Sequence, residues 1–164
     1  GIMIDTNNFM TKTGVRTFEA AAFLRRNGAD VTRVRKLFRE DAADYKAKAD
    51  AVSQAEIYRG VFAISVCNSA GLQSPTIAGA QAANELLNIR GVKASFVLTE
   101  YQGQVFVSAR SIDEVNVQVI MEKMGGGGHL GTAGCQLSGV SLEDGKTMVR
   151  ETLDRMIGEG DLVV

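Results

Sequence analysis

Tryptophan is absent from the 164 residues, proline and histidine occur once each, cysteine twice, and 18 basic side chains nearly cancel 19 acidic ones. Each shortage closes a class of function. No tryptophan and only 6 % aromatics argue against a protein that grips single strands by stacking bases. A formal net charge of −1 supplies no broad cationic face for long nucleic acid, whose binding rests on counterion release. One histidine cannot build a His-rich metal site, and Cys67 and Cys135 show no paired spacing. Both cysteines sit in apolar runs and are expected to be reduced, buried thiols of a cytosolic protein. No apolar run approaches the roughly 20 residues needed to cross a bilayer, and the amino terminus has no signal-peptide plan, so the chain as given is expected to be soluble.

What remains is an ordinary globular composition, 45 % hydrophobic and 23 % charged, long enough for one full core and part of a second unit. Gly1 to Asp5 reads as an apolar strand ending on a carboxylate. A helix is expected over Val15–Arg26, closed by Gly28, then a short one capped by Asp30 with Val31, Val34, Leu37 and Phe38 on one side. Its other side, Arg33, Arg35, Lys36 and Arg39, reads as a solvated face. Asp41 to Glu56 is expected to be a connecting helix. Beyond it the predicted order is βαββαβα: a strand over Tyr58–Cys67, a helix from Ser74-Pro75 to about Gly91, strands over Val92–Glu100 and Val105–Arg110, a helix over Glu114–Met124, a short strand near Cys135–Leu137, and a helix over Ser141–Ile157 opened by a Ser141/Asp144 capping box. The fold class is α/β, a compact mixed-sheet unit related to the split βαβ arrangement. The domain reading is 1–40 as an incomplete helical unit, 41–57 as linker helix, and 58–164 as the binding domain.

The most informative residues are Gly125, Gly126, Gly127, Gly128 and His129. Four glycines lose much conformational entropy on ordering, yet they join a helix end to a strand inside one unit. Missing side chains would let an anion approach a row of backbone N–H donors, with His129 beside it. The run is no P-loop, since the lysine is lacking, and no G-x-G-x-x-G opens a helix. Arg110 and Ser111 end a strand just before the helix leading into the glycines, where a guanidinium can hold a phosphate in bidentate fashion. The expectation is one phosphate site, reached only if the chain after the glycines turns back and pairs its strand beside the one ending at Arg110. Asp5, closing its apolar segment, has the address of a metal or catalytic carboxylate.

These residues carry a family resemblance. Gly1-Ile2-Met3-Ile4-Asp5-Thr6-Asn7-Asn8-Phe9 resembles the last motif of the DHH phosphoesterase domain. Asn116-Val117-Gln118 through the glycines to His129 resembles the signature of the DHH-associated substrate domain. Thr13-Gly14-Val15-Arg16-Thr17-Phe18 and Leu24 to Asp30 narrow the likeness to GdpP-type cyclic-di-AMP phosphodiesterases. The resemblance implies a hydrolase using two Mn²⁺ ions, with Asp5 as metal ligand and catalytic carboxylate, that opens cyclic di-AMP to pApA. It implies that Arg110, Ser111, Gly125 to Gly128 and His129 hold the cyclic or short linear dinucleotide. It also implies a parent anchored at the cytoplasmic face of a bacterial membrane; apart from the resemblance, residues 1–40 are expected to be mobile or to have their apolar face covered by a second copy of the chain. One carboxylate cannot hold two metal ions, so this chain alone is expected to be inactive. Two other readings stay open: a short-oligonucleotide phosphodiesterase of the nanoRNase or RecJ kind, and a βαββαβ regulatory module without chemistry.

Overall fold

The computed structural model describes residues 1–112 and 114–163, in two compact units, Gly1–Glu40 and a second beginning at Asp41. The first unit is helical: α1 (Ile2–Asp5), α2 (Val15–Arg26) and α3 (Val31–Lys36). The apolar strand expected at Gly1–Asp5 is instead a helical turn. A strand needs a neighbour for its ladder, whereas here the backbone bonds to itself, Asp5 N–H to Gly1 O and Thr6 N–H to Ile2 O. Asp30 caps α3 as expected, accepting from the N–H groups of Thr32 and Arg33. Thr6 is the one buried residue described in this unit, and Phe18, Phe23, Leu37 and Phe38 stay exposed.

The second unit is a six-stranded mixed sheet with helices on both faces. Its elements are α4 (Ala42–Ser53), β1 (Glu56–Tyr58), β2 (Phe62–Cys67), α5 (Pro75–Leu86), β3 (Ala94–Tyr101), β4 (Gln104–Ser111), α6 (Val117–Lys123), β5 (Gly127–His129), β6 (Thr132–Ser138) and α7 (Leu142–Glu159). The sheet order is β1-β2-β3-β4-β6-β5, with β2 and β3 parallel and every other pair antiparallel. The expected class stands, with two strands more than the sequence suggested. The single strand expected over Tyr58–Cys67 is a hairpin, bent at Arg59 (φ 52°) and Gly60 (φ 76°). The glycine run contributes the other extra strand, β5.

Helix α6 begins three residues later than expected, because Asn116 caps it by accepting from Gln118 and Val119 N–H while Val115 goes into the core. The Ser141/Asp144 capping box of α7 is present. The Ser74 hydroxyl makes no capping bond, although Pro75 opens α5 as expected. The segment expected to be a connecting helix packs on the second unit: Ala47 and Ala51 of α4 are buried against Ala63, Cys67, Ala82, Ala83 and Leu86. Both cysteines are buried and free. No helix among the described residues is long and apolar enough to cross a membrane.

Strand alternation divides the core. Ile64, Phe96, Leu98, Val107, Ala109, Cys135 and Leu137 meet Ile120, Met121, Val149 and Leu153 of α6 and α7 on one face. On the other face α4 and α5 cover β2 and β3, and α5 reaches the near side of β4. Ser65 Oγ donates to Ala51 O and Ser95 Oγ to Ala83 O, tying both helices down. The buried side of α5 is Ala78, Gly79, Ala82, Ala83 and Leu86, while Ile77 is exposed. Small residues are required because α5 lies so near the sheet that a Cβ on Gly79 would fall 2.2 Å from Thr99 Oγ1. That hydroxyl is buried without a hydrogen-bond partner among the described residues. Thr99→Val, isosteric and apolar, is therefore expected to stabilise the protein by about 1 kcal/mol, since a buried unpaired hydroxyl carries an uncompensated desolvation cost. Chemical denaturation checks this, and a loss of stability would contradict the account of the site.

Candidate functional site

Beyond α5, which reaches only the near side of β4, the β6–β5 part of that second face is uncovered and the β4 residues beside it are half-buried. Register places its residues in three rows. Arg110, Thr132 and His129 form one; Ser108, Gly134 and Gly127 the next; Phe106 and Gln136 the third. Rows along a strand lie about 7 Å apart, two residues at 3.4 Å each, and paired residues share a face. Between the third row and Thr76, at the start of α5, lies a cleft of about 440 Å³, lined also by Ser108, Gly134, Gly125 and Gly126.

The strand after the glycines does return beside the one ending at Arg110, with Arg110 opposite Thr132 and Thr132 opposite His129. Arg110 is half-buried; its Nη1 donates to Ala109 O at 2.8 Å and reaches Ala133 O at 3.5 Å. No carboxylate pairs with it among the described residues, and burial alone pushes its pKa down. It remains a cation, because a guanidinium titrates far above neutrality. A desolvated, uncompensated positive charge on an open face is a place for an anion.

Ser111 falls on the opposite side. Alternation turns it away from Arg110, and its hydroxyl donates to Val115 O, tightening the loop into α6. Its own N–H bonds to Gly131 O. Arg110 and Ser111 are thus adjacent in sequence but not on one surface.

The glycines are not the free nest expected. Gly125 N–H bonds to Glu122 O and Gly126 N–H to Met121 O, so both serve the end of α6. Gly127–His129 is an edge strand, which leaves alternate N–H groups unpaired by the sheet. The four positions have different reasons to be glycine. Gly125 has φ +83°. A Cβ on Gly126 would lie 2.1 Å from Gly134 O, and one on Gly128 2.5 Å from Ala133 Cα. Gly127 has neither constraint: its φ is not positive, and nothing lies within 4 Å of where its Cβ would be. The fold does not ask for glycine there.

His129 is exposed in the row of Arg110. Asp5 is exposed in α1. No group of three His, Cys, Asp or Glu that could hold a metal ion exists among the described residues, so the donors present do not fit a two-manganese centre. The burial that raises Cys135 to about 11 leaves that thiol inert at the cleft wall. The cleft formed by Thr76, Phe106 and Gln136 was not anticipated from the sequence. The signal for it was the alternation Phe106, Ser108, Arg110, which puts a ring and a guanidinium on one side of a strand.

Comparison with known proteins places these features in a lineage. The DHHA1 domain model matches residues 63–159. The chain is 44 % identical over 154 residues to the cyclic-di-AMP phosphodiesterase GdpP of Geobacillus thermodenitrificans (strain NG80-2), covering 93 % of this chain and 23 % of that protein. It is 41 % identical over 155 residues to the cyclic-di-AMP phosphodiesterase PdeA of Listeria monocytogenes serotype 1/2a (strain 10403S), covering 94 % and 23 %. The chain thus spans about a quarter of the length of these relatives. The crystal structure of an exopolyphosphatase-related protein from Bacteroides fragilis shares the fold, with TM-score 0.82 and 19 % identity over 95 % of this chain and 48 % of that one.

Proposed function

Because the chain belongs to the DHHA1 domain family, we propose that its second unit is the substrate-gripping module of a phosphodiesterase acting on cyclic di-AMP. A phosphate of the dinucleotide rests over Gly127, held by the Arg110 guanidinium and flanked by His129. The observation that carries this reading is Gly127 itself, a glycine with no steric or conformational reason to be one, on the same sheet face as a half-buried cation that no carboxylate pairs among the described residues, and one strand beyond β6 from it. A side-chain-free strand lets a phosphate approach the backbone closely, and the guanidinium supplies a charge-assisted bond there. Residues 1–40 are, on the same reading, the closing part of a DHH domain. Support for the substrate comes from the two relatives named cyclic-di-AMP phosphodiesterases.

The residues described here bind; they are assigned no hydrolytic step. Asp5 is a single exposed carboxylate, and two-metal hydrolysis needs several ligands to clamp both ions. The 164-residue polypeptide is therefore expected to bind cyclic di-AMP or pApA in a calorimetric titration. It should not convert one into the other even with excess Mn²⁺. Turnover that scales with the concentration of the purified chain would overturn the division of labour. A failure to bind either nucleotide would overturn the site.

A further inference from the structure

The open half-face carries chemistry that gripping a phosphate does not use. Phe106 is only half-buried and packs in neither of the two hydrophobic clusters. It forms a wall of the cleft, with the Tyr101 ring tilted beside it at 6.3 Å. Directly across the ladder stands Gln136, exposed, whose amide has no hydrogen-bond partner among the described residues. A half-buried ring and an exposed amide thus face one another across one cleft, where a planar group could meet both. The neighbouring row, Ser108, Gly134 and Gly127, is nearly free of side chains and leads from this pair to Arg110.

We propose that Phe106 and Gln136 form a purine subsite that selects adenine, a proposal that rests on Arg110 and Gly127 being the phosphate site. The base stacks on the Phe106 ring, its sugar lies over Gly134, and its phosphate rests over Gly127 within reach of the Arg110 side chain. Stacking accepts any base and supplies affinity. Selection falls to Gln136: an amide offers one donor and one acceptor, which matches N7 and the N6 amino group of adenine. Guanine presents two acceptors, O6 and N7, on that edge, and the partner suited to it is Arg or Lys. The chain carries neither at position 136.

The test is a titration of the full 164-residue chain with pApA and with pGpG, followed by calorimetry and by amide and ring resonances in NMR. The wild type is expected to favour pApA by tenfold or more. Phe106→Ala should weaken binding of both dinucleotides about tenfold, on the scale of losing one stacked base. Phe106→Leu, which keeps the bulk but loses the ring face, should show the same loss and guards against simple misfolding. Gln136→Ala should erase the preference, and Gln136→Lys should turn it towards pGpG. Wild-type affinities and preference in the Phe106→Leu and Gln136→Lys variants would overturn the subsite. The phosphate reading fails separately: Arg110→Ala should weaken both dinucleotides alike, whatever the base. If Arg110→Ala has no effect while the Phe106 variants do, a base still stacks on Phe106, but the phosphate assignment falls and with it the path from that ring to Arg110. Binding of neither dinucleotide by the wild type overturns both.

Discussion

Placing valine at Gly127 should abolish nucleotide binding and leave the protein as stable as before, whereas alanine at either neighbour should cost the fold. The contrast follows from where each added carbon would go. At Gly126 it meets backbone, 2.1 Å from Gly134 O and 2.7 Å from Cys135 Cα, and no side-chain rotation can relieve that. At Gly128 the φ of +151° is itself unsuited to an L side chain, and Thr132 O lies 2.5 Å away. Forcing β5 off β6 at either point is expected to cost about 3 kcal/mol, the upper end of overpacking in a tight site. At Gly127 the new side chain projects into open space over the row that holds Ser108 and Gly134. It blocks a ligand and nothing else. Denaturant midpoints for Gly126→Ala, Gly127→Val and Gly128→Ala, with a pApA titration of each folded variant, separate the two effects. A Gly127→Val protein that binds normally would remove the main support for the site. One that unfolds as readily as Gly126→Ala would show that the fold needs this glycine too.

Arg110→Ala should weaken nucleotide binding by roughly 1.5–3 kcal/mol, the scale of a charge-assisted hydrogen bond, which is about ten- to a hundredfold in affinity. The same change should leave stability unchanged or improve it, and this sign is the sharper test. In the free protein the guanidinium is partly desolvated, bonded only to the carbonyls of Ala109 and Ala133, with no counter-charge among the described residues. Removing an uncompensated cation relieves the fold of a burden that the ligand would otherwise relieve. Arg110→Lys keeps the charge but loses the planar fork, so it should recover only part of the affinity. A residue that merely props up the sheet would behave in the opposite way, with stability falling and affinity following it.

The sequence was most legible where chemistry and geometry constrained each other. A helix of α6's length keeps its two flanks apart, so Arg110 and the glycines could share a site only if the chain doubled back, as β6 does beside β4. Other features were hidden for definite reasons. β1 and β5 have three residues each, too few to show a period of two, and a Gly-Gly-His strand has no propensity to announce it. Ile2-Met3-Ile4 is apolar with no period of its own, so strand and helical turn were equally compatible with it. Ser111 was grouped with Arg110 because they adjoin in sequence, although in a strand adjacency means opposite faces. Alternation carried forward from Phe106 would have separated the two and drawn attention to Phe106 itself.

The brevity of the two edge strands has a consequence for self-association. A sheet extends into a second molecule by offering it a run of outward-facing N–H and C=O groups. Both outermost strands are three residues long, ending before residues 65–67 of β2 and 135–138 of β6, and Gly128, in the middle of one, sits at φ +151°, away from regular extended geometry. So short a margin gives an incoming strand few rungs before the chain turns away. The outermost strands are thereby poor templates for joining copies of the sheet edge to edge.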